Sequence, residues 1–207
     1  MRKALPVVVF ACAAAHAGII PVVNPSFELG PGAVPLSGSI YSYDTSTLPY
    51  GWSVTQGTVE FVPAGYGSFW TVEDGSYSVD LNGTSQGGIS QNISGLTAGN
   101  SYQLIFGLSA NSQMCGSPGS CELQVQIANI TQNYFVGGSP MTWTDQTLSF
   151  TPTGSTATLT FNSLNGGTGG PAIDNVRISG AVGIPEPASV CLGLLSAGLL
   201  VLARLRR

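Results

Sequence analysis

The stretch Tyr102-Gln103-Leu104-Ile105-Phe106-Gly107-Leu108 sets Tyr102, Leu104, Phe106 and Leu108 in alternation with Gln103, Ile105 and Gly107. A period of two puts alternate side chains on opposite faces of a strand, whereas a helix needs contacts three and four residues apart. The same pattern recurs on both sides of it. Leu123, Val125 and Ile127 alternate with Gln124 and Gln126, and Ala157, Leu159 and Phe161 alternate with Thr156, Thr158 and Thr160. Upstream, Tyr77, Val79 and Leu81 alternate with Ser76, Ser78 and Asp80. Residues 57–62, 88–93, 132–136, 143–151 and 171–179 are further strand candidates. Gly, Ser, Asn and Pro separate these runs, and no helical period is sustained between 18 and 184. The spacing predicts an all-β fold, a two-layer antiparallel sandwich with Thr and Gln on its wet faces. The Gly-rich run Asn165–Gly170 reads as a loop before the last strand, since neither a Lys nor a helix follows to make a phosphate loop.

Charge narrows the chemistry. The chain has 207 residues, 8% of them charged, which suits one domain with appendages. Between Gly18 and Ile184 there are nine carboxylates against one cation, Arg177, a balance near −8. Nucleic-acid binding needs clustered Lys or Arg and is excluded, and phosphate chemistry is disfavoured for the same reason. The single histidine is His16. If it is removed with a signal peptide, no Ser-His-Asp or Cys-His catalysis and no His-ligated metal is available.

Both ends read as addresses. Arg2 and Lys3 precede an apolar run from Leu5 to Ala15, and Ala15-His16-Ala17 is a small-x-small cleavage site. Residues 1–17 are therefore expected to be a secretory signal removed by signal peptidase. At the other end Ala188–Ala203 is free of charge, and Arg204, Arg206 and Arg207 follow it. As a helix it would span roughly 24 Å, short for a bilayer core of ~30 Å, with its arginines on the cytoplasmic side. Pro185-Glu186-Pro187, an apolar segment and an arginine cluster together resemble the PEP-CTERM sorting domain of Gram-negative bacteria, over residues 184–207. The resemblance implies processing by an exosortase-type membrane enzyme, a transient stay at the inner membrane, and a mature protein at the cell surface or in the extracellular matrix.

Between these ends lies the body, 18–182. Cys115 and Cys121 enclose Gly-Ser-Pro-Gly-Ser, which in an exported protein reads as a disulfide closing a small loop between two strands. The competing reading, a metal pair, lacks further Cys or His. The order Val23-Asn-Pro-Ser-Phe-Glu28, Pro49-Tyr-Gly-Trp-Ser-Val54, Gly75-Ser-Tyr-Ser-Val-Asp-Leu-Asn-Gly83, Gly87-Gly-Ile-Ser-Gln91 and Gly170-Pro-Ala-Ile-Asp-Asn-Val176 resembles the choice-of-anchor C family. That family is similar to galactose-binding-like jelly rolls and to several carbohydrate-binding modules. The resemblance covers roughly residues 20–180 and implies a jelly-roll-like sandwich whose strands around Phe27 and Val176 pair. It also implies that Glu28 and Asp174 help to hold a structural Ca²⁺, an ion that wants six to eight oxygens.

Trp52, Trp70 and Trp143, with Tyr50, Tyr66 and Phe69, supply faces on which sugar rings could stack. Trp52, at a strand start, is expected in the core. The segment Gly65-Tyr-Gly-Ser-Phe-Trp70 is the candidate binding loop, with Tyr66, Phe69 and Trp70 as ligand contacts. Glycosidase chemistry needs two carboxylates at a fixed separation, and among nine some pair is inevitable. Serine and threonine have no His or body Lys to activate them. The expectation is a non-catalytic, exported surface or matrix protein associated with exopolysaccharide. A lectin-like carbohydrate-binding module and, further off, a polysaccharide hydrolase are the alternatives.

Overall fold

The computed structural model describes residues 18–180. Its centre is β9 (Tyr102–Ala110), whose Leu104 and Phe106 are fully buried, as the alternation requires. On one side β9 pairs with β12 (Thr144–Phe150), and on the other with β14 (Pro171–Gly180). Beyond β14 come β7 (Tyr77–Asp80), β6 (Thr58–Pro63) and β4 (Tyr41–Asp44), while β1 (Ile19–Ile20) pairs the far end of β14. The facing sheet runs β11 (Ile130–Val136), β10 (Cys121–Ile127), β13 (Thr156–Ser163), β8 (Gly88–Ser94) and β5 (Ser53–Gln56). A small ribbon of β2 (Leu29–Gly30) and β3 (Val34–Pro35) stands apart. Every pairing is antiparallel.

The two inner faces meet through aromatics. Phe61 and Phe106 come from the seven-stranded sheet, and Phe161 from the five-stranded one. Phe106 meets Phe161 edge-on at 5.1 Å, Phe27 meets Phe61 at 5.3 Å, and Trp52 bridges Phe27 (5.4 Å) and Phe161 (6.1 Å). Tilted and edge-on contacts set the positive ring edge against the negative face, which adds to area burial. Trp52 is in the core, and its Nε1 donates to the Asn24 carbonyl.

Two expectations change. Phe27 lies in no strand. It sits in a turn at φ +59°, and Val176 instead donates its N–H to the Pro25 carbonyl. The element beside the end of β14 is β1, with Ile20 opposite Ile178, and Gly180 N–H reaches the Gly18 carbonyl at 2.8 Å. The second change concerns β7, where Ser78 and Asp80 are as buried as Tyr77 and Val79. Loops cover the outer face of that sheet. Val62, Trp70, Met141 and Ala172 form a separate apolar cluster there, flanked by Phe69 and Trp143.

A bulge in β14 lies where Asp174 opposes Gly107 and Arg177 opposes Ile105. The extra residue is accommodated with Asn175 at φ +51°, a conformation Asn tolerates better than most residues. The bulge keeps Asp174 outward while Val176 enters the core. Residues 1–17 and 184–207, read as signal and sorting segments, lie outside the described residues, as do Cys12 and Cys191. Among the described residues no helix is long and apolar enough to cross a membrane.

Candidate functional site

The segment 64–76 joins β6 to β7 and sets its aromatics edge-on in series, Tyr66 to Phe69 at 6.5 Å and Phe69 to Trp70 at 6.3 Å, without exposing all three. Trp70 is 2% exposed and donates Nε1–H to Ser78 Oγ at 2.9 Å, so it is a packing residue rather than a ligand contact. Phe69 is half-buried beside it, and only Tyr66 is exposed. The glycines bend the segment (Gly65 at φ +80°, Gly67 at φ +57°) but turn Trp70 inward. Trp143 is half-buried and donates Nε1–H to Thr71 Oγ1.

Glu28 and Asp174 hold this same segment from two sides. Glu28 Oε1 accepts from Ser76 and Tyr77 N–H, each at 2.8 Å. Asp174 Oδ2 accepts from Glu73 N–H (2.9 Å) and Asp74 N–H (3.0 Å), and its Oδ1 accepts from Asn175 N–H. A calcium site needs converging oxygens, whereas these carboxylates face N–H donors that point their positive ends inward. In this arrangement Glu28 Oε1 and both Asp174 oxygens are engaged by N–H donors, and the pair clamps the chain at 73–77. Among the described residues no group of three or more His, Cys, Asp or Glu side chains could hold a metal.

Burial governs the acids nearby. Desolvation pushes Asp174 up to about 7 despite its three N–H bonds. It does the same to Asp80, whose partners are Asn111 Nδ2 and the N–H groups of Asn82 and Gly170. Glu73 is also raised, first by burial and then by the Asp145 charge, although Arg177 opposes the shift. Its carboxyl lies over Gly107, where a Cβ would collide with it, and its Oε2 is buried without a hydrogen-bond partner. Arg177 is ion-paired with Asp145 at 2.8 Å.

An open cleft lies elsewhere, at one edge of the sandwich. Its volume is about 330 Å³, and it is lined by β11 and β12, the edge strands that end the two sheets on one side. Tyr134 and Phe135 line it from β11, and Thr142, Thr144 and Gln146 line it from β12 and the chain before it. Phe135 is 69% exposed, and Tyr134 is fixed edge-on against Phe106 at 5.5 Å. None of the residues lining the cleft is charged. Cys115 and Cys121 are joined in a disulfide, and the loop they close supplies another wall. Gly138 N–H donates to the Cys115 carbonyl. At Gly137 (φ +149°) a Cβ would come within 2.3 Å of the Ser117 carbonyl oxygen, so only glycine lets the two loops meet this closely.

Sequence reasoning passed over Phe135 because 132–136 reads simply as a strand. The missed signal was two consecutive aromatics, Tyr134 and Phe135, followed by Gly137-Gly138. Consecutive strand residues face opposite ways, so one of such a pair faces outward.

Comparison with known proteins agrees with this architecture. The CBM22-1-CBM22-2 tandem domain of Paenibacillus barcinonensis Xyn10C superposes with a TM-score of 0.51 at 16% identity, covering 86% of this chain and 49% of that one. The CBM22-1 xylan-binding domain of the same Xyn10C gives 0.50 at 15% identity, covering 81% and 97%. These likenesses establish the carbohydrate-binding-module jelly-roll architecture. In sequence the chain is similar to Halomucin of Haloquadratum walsbyi, 36% identical over 137 residues. That alignment takes in 64% of this chain and spans 1% of Halomucin's length. Residues 21–179 match the model of the family described as protein of unknown function (DUF642), and the chain belongs to that family.

Proposed function

We propose that this domain is a non-catalytic carbohydrate-binding module whose saccharide site is the cleft between β11 and β12. The observation that carries the reading is the chemistry of that cleft: exposed Phe135, hydroxyls and an amide at Thr142, Thr144 and Gln146, and no charge. A sugar ring offers C–H groups to an aromatic face and hydroxyls to such polar groups, and its affinity does not depend on ion pairing. The volume lies at the small end of ligand sites, which run from ~300 to ~1,000 Å³. The likeness to a xylan-binding module supports the reading at the level of fold and makes xylan the first polymer to try.

The absence of catalysis belongs to the same proposal. Residues 18–180 contain no His and no Lys, and the carboxylates of Glu28, Asp80 and Asp174 accept hydrogen bonds from backbone N–H groups. We place the domain outside the cytoplasm, where it meets polysaccharide. The Cys115–Cys121 disulfide suits an oxidising compartment, and the sequences of 1–17 and 184–207 read as export and sorting signals.

The test is affinity electrophoresis of the purified domain through gels containing soluble xylan, β-1,4-galactan or β-1,3-glucan. Retardation by at least one neutral polymer, reduced at least 10-fold in affinity by Phe135→Ala with an unchanged Tm, is expected. Free migration through every neutral polymer overturns the proposal.

A further inference from the structure

We infer that the saccharide site continues out of the cleft onto the outer face of β10 and β11, where the domain grips an internal run of a neutral polysaccharide chain. This rests on the cleft reading and deepens it. Along β10, Leu123, Val125 and Ile127 are buried and Glu122, Gln124 and Gln126 face outward. Their side chains are joined in one hydrogen-bonded series together with Asn133 of β11. Gln126 Nε2 donates to Gln124 Oε1 at 2.9 Å, Gln124 Nε2 to Asn133 Oδ1 at 3.3 Å, and Asn133 Nδ2 to Glu122 Oε1 at 2.8 Å.

Long side chains on a strand surface ordinarily keep their rotamer freedom, and ordering them is unfavourable. Here that ordering is already complete before any ligand arrives, which lowers the penalty of binding. Each bridging amide has one N–H and one lone pair engaged in the series, and one of each is left over. A donor beside an acceptor at a fixed spacing matches adjacent sugar hydroxyls.

Phe135 connects this row to the cleft. It lies directly opposite Glu122 in the β10–β11 register, on the same face as Asn133, and it also lines the cleft. The next strand extends the polar face: Asn162 stands opposite Gln124, and Thr160 opposite Gln126. From Glu122 to Gln126 the row runs roughly 13 Å, about the length of two to three sugar rings. Glu122 is the one charged side chain on β10, β11 and β13. With the body near −8, it disfavours an anionic polymer.

The experiment compares wild type, Gln124→Ala/Gln126→Ala and Phe135→Ala against xylan, β-1,4-galactan, β-1,3-glucan and anionic polygalacturonate. Calorimetry then follows with the disaccharide and hexasaccharide of whichever neutral polymer binds. The double variant should lose at least 10-fold for polymer and hexasaccharide, and less than 2-fold for the disaccharide, with Tm within 2 °C of wild type. Phe135→Ala should lose both. Equal affinities of wild type and double variant for the hexasaccharide overturn the extension and leave the cleft standing. Equal binding of polygalacturonate overturns the neutral-chain assignment. No retention by any neutral polymer removes the cleft reading and this inference with it.

Discussion

Replacing Trp70 by alanine separates packing from binding. Trp70 is 2% exposed among Val62, Met141 and Ala172, and it donates to Ser78 Oγ. Truncating a buried aromatic to Ala removes about 3–5 kcal/mol, from lost transfer energy plus the cavity left behind. The Ser78 hydroxyl, itself fully buried, then lacks its partner, adding roughly 1 kcal/mol. The cluster lies under a surface segment that can partly collapse, so we take the lower end, about 3–4 kcal/mol in all. Set against a typical total of ~5–15 kcal/mol, that is a large fraction. At roughly 2–4 °C per kcal/mol for a domain of this size, Tm should fall by about 10 °C. Calorimetry and urea titration measure the loss. Polymer affinity, measured well below the new Tm, should stay within 2-fold of wild type, because the side chain is out of a ligand's reach. A Trp70→Ala protein with unchanged Tm and affinity reduced 10-fold would refute the assignment of the site to β11 and β12.

Four other outcomes follow from the geometry. Asp80 and Asp174, raised to about 7 in the folded protein, hold protons that the unfolded chain releases near its ordinary carboxylate pKa. Their contribution is therefore complete at low pH and disappears as pH climbs toward 7, and Tm should rise between pH 8 and pH 5.5; a fall over that window contradicts the burial argument. Because Glu28 and Asp174 bind backbone N–H groups, chelator should move Tm by less than 1 °C, and a larger drop would reveal a cation the clamp does not need. Reducing the Cys115–Cys121 bridge should remove about 2 kcal/mol and loosen the cleft wall, so affinity falls together with the urea midpoint. Ala128, at φ +51° in the β10–β11 turn, should be relieved by Ala128→Gly, raising stability by roughly 1 kcal/mol in urea unfolding.

The long strands were legible because a half-buried strand writes a period of two into its residues. β9, β10 and β13 did so plainly, and Asn165–Gly170 read correctly as the loop before β14. β1 to β5 were not legible. They are two to four residues long, set among Gly, Pro and Ser, and their pairing comes from partners distant in sequence. Phe27 looked like a strand residue, yet it enters the core from a turn, where tertiary packing overrides local pattern. The burial of Ser78 and Asp80 depends on loops folding over the sheet, which alternation on one strand cannot report. For the proposed site, composition reveals an uncharged polar surface with aromatics, and the glycines of 65–70 draw attention to Tyr66, Phe69 and Trp70, of which Trp70 is buried. Periodicity assigns a side chain to a face. It does not say which strand lacks a neighbour, and Phe135 lies 69% exposed on β11, an edge strand.

The bond from Gly180 to Gly18 makes the domain's entrance and exit a single doorway. A module with such a doorway can be set into a surface loop of a host protein without stretching the host's backbone, and copies strung in series need only short tethers. Grafting residues 18–180 into an exposed turn of a carrier enzyme should leave both partners folded.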